Sequence, residues 1–271
     1  MIDSTDYSAV RVLQDGDVLR CTLNRPDELN SMSPTLHDEL EELFGAISAE
    51  DDVRAVVLAA EGKCFSAGGD VRHLAEEAAA NRPGRPDAIG GFSPRNAMRL
   101  IRRLLQIPQP VVAAVQGDAV GVGATIALFS DVVVMREGAR IGDTHVRVGL
   151  AAGDGGAVIW PLLVGVNRAK EFLMTGRLIS AAEAHALGLA NHVYAPEEFD
   201  AGVDKVVADL LAVPPFALQA TKAMINRDLL SRVESTLDFC LAMEALSSRT
   251  DDHRAALQGF IEKRRPRFSG R

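Results

Sequence analysis

Two glycine-rich turns are the residues of this sequence whose types and spacing could do chemistry, and His145 and Asp154 further along are of residue types that could move protons. The turns are Phe65-Ser66-Ala67-Gly68-Gly69-Asp70 and Gly117-Asp118-Ala119-Val120-Gly121-Val122-Gly123. Each follows an apolar run and precedes a helical pattern. Each therefore exposes backbone N–H groups at a helix start, where negative charge is favoured. Taken alone, either reads equally well as a tight turn that needs a positive φ. Neither is a nucleotide fingerprint: Ile126 stands where a dinucleotide site has its third glycine, and neither turn ends in the Gly-Lys-Ser/Thr of a P-loop. Together they say more, because two separate N–H donors aimed at one oxygen make an oxyanion hole. His145 is a natural general base, with an unperturbed pKa of about 6.5. Asp154 beside it could fix its tautomer and stabilise the imidazolium. Asp154 fits equally well as the N-cap of a helix over 155–163.

The elements that must position these residues follow from hydrophobic patterning. Residues 10–14 and 17–23 read as a hairpin joined at Asp15-Gly16. Ser33-Pro34 opens a helix whose Leu36, Leu40, Leu43, Phe44 and Ile47 share one face. Val53 to Ala60, Val111 to Val115 and Asp131 to Met135 are continuous apolar strands, expected to be covered on both faces. Helices are expected near Asp70, over 95–105 and from about Ala124. The intervening residues 81–94 carry three prolines and three glycines and read as a mobile, functional loop. The alternation argues for an α/β fold with parallel pairing. From about residue 154 the pattern is mostly helical, with capping-box spacing at Ser180 to Glu183 and a short strand near 190–194. Residues 196–271 read as three or four helices without a strand. The division expected is an α/β core over 1–200 and a helical C-terminal region over 201–271.

Composition narrows the function classes. With 271 residues, 47% hydrophobic and 24% charged, the chain can bury a sizeable core and is not disordered. The net charge of −8 is the wrong sign for a sequence-independent nucleic-acid binder, and 5% aromatics supply few stacking platforms. No apolar run approaches the ~18 residues of a membrane helix. Residues 1–6 are acidic and polar, unlike a signal peptide. Cys21, Cys64 and Cys240 are far apart, without disulfide or metal-ligand spacing. A reducing cytoplasm, no metal and no membrane are the expectations.

Several stretches, in order along nearly the whole chain, resemble the enoyl-CoA hydratase/isomerase, or crotonase, superfamily. They are Leu23-Asn24-Arg25-Pro26 to Asn30, Gly62 to Asp70, Val115 to Gly123, Val148-Gly149-Leu150 with Gly153 to Gly156, Thr175-Gly176 through Leu187-Gly188-Leu189, and Phe260 to Arg264. The resemblance implies a core of repeated ββα units and a C-terminal helical trimerisation region. It implies a homotrimer or dimer of trimers, an acyl-CoA thioester as substrate, and no cofactor beyond the CoA that the substrate carries. The thioester oxygen would sit between the N–H groups of Gly69 and Val122, with Ala67 beside the adenine. Arg72 and Lys263 match positions that carry basic residues for the CoA phosphates, Lys263 reaching from a neighbouring subunit.

The sequence departs from that pattern where hydratases carry two glutamates. Thr125 and His145 stand there, and Thr125, which would contact substrate, is no effective acid or base near neutral pH. Ordinary two-glutamate hydration is therefore not expected, and His145 with Asp154 is left to move protons. The pair also resembles that of the CoA-independent β-diketone hydrolases, which cleave carbon–carbon bonds, although those have a further histidine where this chain has Val122. A non-catalytic CoA-binding scaffold is the third reading. Asp118 is expected to be structural and His37 and His73 to face solvent; Glu244 could face a neighbouring active site, but a solvated helix face is the expectation. His185, His192 and His253 have no evident partner in the sequence.

Overall fold

A computed structural model of the chain describes residues 6–80 and 94–271. The expected hairpin pairs β1 (Val10–Asp15) with β2 (Val18–Leu23), from Val10 opposite Leu23 to Asp15 opposite Val18. β2 then runs parallel to β3 (Ala55–Ala60), followed by β5 (Val111–Val115), β7 (Val132–Arg136) and β10 (His192–Tyr194). The sheet has the order β1-β2-β3-β5-β7-β10. Its central strands are continuous apolar runs because helices cover both faces. On one face Val56, Leu58 and Ala113 meet α1 (Pro34–Ile47) and α3 (Pro94–Gln106). On the other, Ala55, Val57, Val112 and Val134 meet Phe199, Val203, Val206 and Val207 of α8 (Phe199–Leu211). α1 starts where its cap requires: the Ser33 hydroxyl accepts from the Leu36 N–H at 3.1 Å.

A second sheet, which the sequence reading did not contain, has the order β4-β6-β8-β9. Its strands are β4 (Cys64–Ser66), β6 (Asp118–Val120), β8 (Arg140–Gly142) and β9 (Ile179–Ser180). Runs of two or three residues leave no periodicity to detect. Each of β4, β6 and β8 follows a strand of the large sheet and leads towards a helix. This repeat generates the ββα units: α2 (Val71–Ala80) follows β4, α4 (Val122–Phe129) follows β6, and a 3-10 turn (His145–Val148) with α5 (Gly156–Val164) follows β8. The second sheet thereby lines up the two glycine-rich turns and the His145 segment side by side.

α6 (Val166–Thr175) and α7 (Ala181–Leu187) precede β10, and α7 takes its cap from Ser180, whose hydroxyl accepts from the Glu183 N–H at 3.2 Å. After β10 come only α8, α9 (Pro215–Ser247) and α10 (Asp251–Ile261). α9 is anchored at its first half. Lys222 pairs with Asp131 at 2.5 Å and donates to the Gln109 carbonyl at 2.7 Å, and Asn226 donates to the Leu105 carbonyl at 2.9 Å. α10 packs against α2 and the 3-10 turn of its own chain. The loop read at 81–94 lies outside the described residues, save Pro94, which opens α3. Among the described residues no helix is long and apolar enough to cross a membrane.

Candidate functional site

The two glycine-rich turns touch. Gly68 has φ +82°, and a Cβ there would lie 2.7 Å from the Val120 carbonyl oxygen of the second turn. A Cβ on Gly123 would lie 2.5 Å from the Ser66 Cβ of the first. Only glycine permits this approach. Buried Asn30 ties the first turn down. Its side chain donates to the Glu61 and Cys64 carbonyls, both at 2.9 Å, and the Ser66 hydroxyl donates back to the Asn30 carbonyl at 2.8 Å. Asp70 caps α2 by accepting from the Arg72 and His73 N–H groups at 2.9 and 3.2 Å. Gly69 thus precedes one helix cap, and Val122 is the first residue of α4, where N–H groups have no intrahelical acceptor. Both residues line a cavity of about 130 Å³.

His145 forms part of the same cavity wall. Its Nδ1 lies 2.7 Å from Asp143 Oδ1, an oxygen that also accepts the His145 N–H at 3.1 Å. Its Nε2 lies 3.4 Å from Asp154 Oδ2 and 3.8 Å from Glu244 Oε1. The Thr125 hydroxyl donates to Asp154 Oδ1 at 3.0 Å. All three carboxylates are buried, Asp143 at 1%, Asp154 at 9% and Glu244 at 6% exposure. Three buried carboxyl groups around one imidazole must share protons, because so much negative charge cannot be desolvated unpaired.

The electrostatics follow from that crowding. Burial favours neutral His145, but Asp143, Asp154 and Glu244 together outweigh it and hold the imidazole protonated well above its ordinary range. Asp143 moves the opposite way: burial would raise its carboxyl, yet the adjacent imidazolium keeps it below the usual value. Burial raises Asp154, with His145, the Thr125 hydroxyl and the Gly156 N–H opposing and Asp143 adding. Burial pushes Glu244 up to about 8, with His145 opposing and Asp154 and Asp143 adding. Asp143 and His145 thus favour each other's charged forms, and burial favours Glu244 in its protonated form.

Gly69, Val122, His145, Asp154 and Ala67 come together around one cavity. Thr125, expected at the substrate, does not line it. Its side chain is wholly buried behind Asp154 because α4 turns that residue into the core. Asp154 does not fix the tautomer of His145; Asp143 does. Asp154 is not the N-cap residue of α5, which is Gly155, but its carboxylate does accept the Gly156 N–H that opens the helix. Arg72 and Lys263 are exposed and lie outside the cavity lining. Lys263 lies two residues beyond α10, a helix packed on α2 of its own chain. Asp118 is structural, as expected, accepting from the Arg140 backbone at 3.0 Å and pairing with its guanidinium at 2.5 Å.

Several other expectations change. His37 is buried rather than solvent-facing, because α1 turns it onto the cavity wall, and half-buried His73 lines the same cavity. His253 is buried with Nδ1 2.5 Å from the Val148 carbonyl oxygen, His185 Nδ1 lies 3.0 Å from that of Ala190, and His192 stacks on Tyr194. Glu244 is not on a solvated face. α9 comes so close that a Cβ on Gly153 would lie 2.6 Å from the Glu244 Cβ and collide with the Cys240 carbonyl. Asp143 was missed altogether. The signals were present in Gly153-Asp154-Gly155-Gly156, since a Cβ on Gly156 would strike Asp143. Glycines announce a close approach without saying what approaches. Asp143, His145 and Asp154 also offer three ligand atoms within 4.8 Å of one another.

Comparison with known proteins finds relatives over nearly the whole chain. Residues 14–271 fit the family model described as enoyl-CoA hydratase/isomerase. A putative enoyl-CoA hydratase of Thermus thermophilus is 35% identical over 94% of this chain and 99% of its own length. The 1,2-epoxyphenylacetyl-CoA isomerase of Escherichia coli is 31% identical over 94% of this chain and 95% of its own. Among solved structures, an enoyl-CoA hydratase/isomerase from Mycobacterium paratuberculosis is 37% identical, with a TM-score of 0.83 over 93% of this chain and 99% of that one.

Proposed function

Because the chain belongs to the enoyl-CoA hydratase/isomerase family, we propose that it acts on an acyl-CoA thioester by moving a proton beside the carbonyl through an enolate. One observation carries this reading: the two N–H turns and the Asp143–His145–Asp154 group line or adjoin the same cavity. The thioester oxygen would lie between the N–H groups of Gly69 and Val122, which stabilise it most when it becomes an enolate. Asp154, a desolvated carboxylate supported on one oxygen by Thr125, is the base that faces the cavity. His145 is the cation that balances it, held by Asp143. Ala67 would lie beside the adenine, and Arg72 and Lys263 would meet the CoA phosphates outside the cavity. The pair of glutamates for ordinary hydration is absent at 125 and 145, so proton transfer within the acyl group is the favoured outcome. CoA enters only as part of the substrate.

The exposed apolar residues Phe216, Met224, Ile225, Phe239 and Phe260 of α9 and α10 support a homotrimer or dimer of trimers, with 201–271 as the oligomerisation region. Within that region α8 doubles as a cover for the large sheet. A cytoplasmic enzyme with no nucleic-acid or membrane partner fits the acidic composition.

Thermal unfolding with and without ligand tests the substrate class. A ligand at 100 times its Kd adds about 2.7 kcal/mol of stability. A short-chain acyl-CoA is expected to raise the Tm and to exchange its α-proton in D2O in the presence of enzyme. Protection by a free β-diketone and not by the thioester would replace this reading with carbon–carbon hydrolysis. Protection by acyl-CoA without any exchange or turnover would make the chain a CoA-binding scaffold.

A further inference from the structure

Glu244 lies 29 residues beyond the start of α9, on a helix outside the repeated ββα units, yet its carboxyl group reaches the catalytic cavity. Three contacts fix it there. The Gly153 Cα passes under its Cβ. The Ser247 hydroxyl donates to the Glu244 carbonyl at 2.7 Å and accepts from the Ala151 N–H at 2.9 Å, which clamps α9 to the segment carrying Asp154. His145 Nε2 stands between Glu244 Oε1 and Asp154 Oδ2, at 3.8 and 3.4 Å. The site therefore contains two carboxyl groups facing one cavity with a single imidazole nitrogen between them. Neither carboxyl group stands at 125 or 145.

We infer that Asp154 and Glu244 are a rebuilt acid–base pair, Asp154 taking a proton from the substrate and Glu244 delivering one, with His145 resetting them. This rests on the acyl-CoA reading above and adds to it the acid and the source of that acid, the C-terminal helix. The balance closes for a double-bond shift. Ionised Asp154 takes the α-proton of a 3-enoyl thioester, and the C–H electron pair delocalises into a dienolate whose oxygen lies at Gly69 and Val122. Protonated Glu244 gives its proton to the γ-carbon as the dienolate electrons move back, which leaves the conjugated 2-enoyl thioester. Asp154 now holds a proton and Glu244 a charge. His145 passes its Nε2 proton to Glu244 and receives the Asp154 proton, restoring the resting state without any other reactant. Environments that keep one carboxyl group protonated and its neighbour available as a base are the signature of such a division of labour.

The experiment follows 3-hexenoyl-CoA in D2O, reading α-deuteration and 2-enoyl product separately for the full-length enzyme. Glu244→Gln is expected to keep α-deuteration within a few-fold and to lose ~10²–10⁴-fold in product formation, the range for losing one positioned acid. Asp154→Asn is expected to lose both. Wild-type product formation should carry an alkaline limb that α-deuteration lacks, and Glu244→Gln should abolish it. The titratable groups that face Glu244 are His145, Asp154 and Asp143, with Cys240 one turn back on its own helix. The Asp154→Asn and Cys240→Ala profiles therefore assign that limb. Product formation by Glu244→Gln at the wild-type rate would overturn the pair. If Glu244→Gln does not fold, identical pH profiles for the two wild-type reactions would overturn it instead. Wild-type enzyme that neither deuterates nor converts the thioester would sink the acyl-CoA reading and not the pair alone.

Discussion

Asp143 and His145 are two residues apart and hydrogen-bonded twice through one oxygen, side chain to ring at 2.7 Å and backbone N–H to carboxylate at 3.1 Å. The carboxylate that orients the imidazole is thus local, set by the turn that leaves β8. Asp154 and Glu244 then approach the opposite nitrogen from the start of α5 and from α9. An imidazole between carboxylates on both nitrogens is a cation, so its task is to organise charge and pass protons rather than to start as a free base.

Asp143→Asn tests this directly. It keeps size but removes the charge that does most to hold the proton on His145. The His145 titration, followed by NMR of the ring protons, should move down in pH, and turnover should fall ~10²-fold or more. An unmoved His145 titration would mean that Asp154 and Glu244 alone hold the proton.

The pH dependence of stability has a definite sign. Against the lowered His37 and His253, Glu244 is raised from 4.5 to about 8 and His145 is raised above 6.5, so at these two groups the folded state holds more protons than the unfolded chain. Both contributions are fully present below the unfolded values and are lost as pH rises through the folded ones. Asp143, being lowered, acts only in acid, below its ordinary value. Denaturant midpoints should therefore fall from about pH 5 towards pH 9, as the cited shifts and linkage require. Glu244→Gln should flatten the curve, and an equally steep curve in that variant would show that Glu244 is charged in the folded protein at neutral pH.

Thr125→Val removes the hydroxyl that donates to Asp154 Oδ1 while keeping the shape. Leaving that buried oxygen without its donor costs about 1–3 kcal/mol. It also pushes the Asp154 carboxyl further up, so the acid limb of α-proton exchange should shift to higher pH. A profile superimposable on wild type would mean that water replaces the hydroxyl.

The sequence made legible what rests on long patterns. The apolar runs at 55–60, 111–115 and 132–135 are strands because both their faces are covered, and Ser33 caps α1 because its hydroxyl matches a free N–H. Gly69, Val122, His145 and Asp154, which the contiguous motifs and the resemblance single out, line one cavity. The second sheet was not, because two- and three-residue strands carry no period. Asp143 was missed because an aspartate two residues from a histidine has no signature of its own. Glu244 was misread because α9 is amphipathic only locally, and its burial depends on Gly153, some ninety residues earlier in the chain.

Gly153→Ala probes that dependence without touching a titratable group. The new methyl group would lie 2.6 Å from the Glu244 Cβ and would collide with the Cys240 carbonyl, so α9 must move outward by a fraction of an ångström or more. Gly153 is not among the glycines with positive φ, so no backbone strain confuses the result. If Glu244 delivers a proton, the displacement should lower product formation and spare α-deuteration, as Glu244→Gln does, because Asp154, His145 and the N–H turns stay where they are. Two variants that disable the same group act as a unit, so the double variant Gly153→Ala, Glu244→Gln should be hardly slower than Glu244→Gln alone. The comparison is made at a temperature well below the Tm of the least stable variant. Losses that multiply in the double variant would place the effect of Gly153→Ala elsewhere, on the loop that carries Asp154, and would separate the position of α9 from the delivery of the proton.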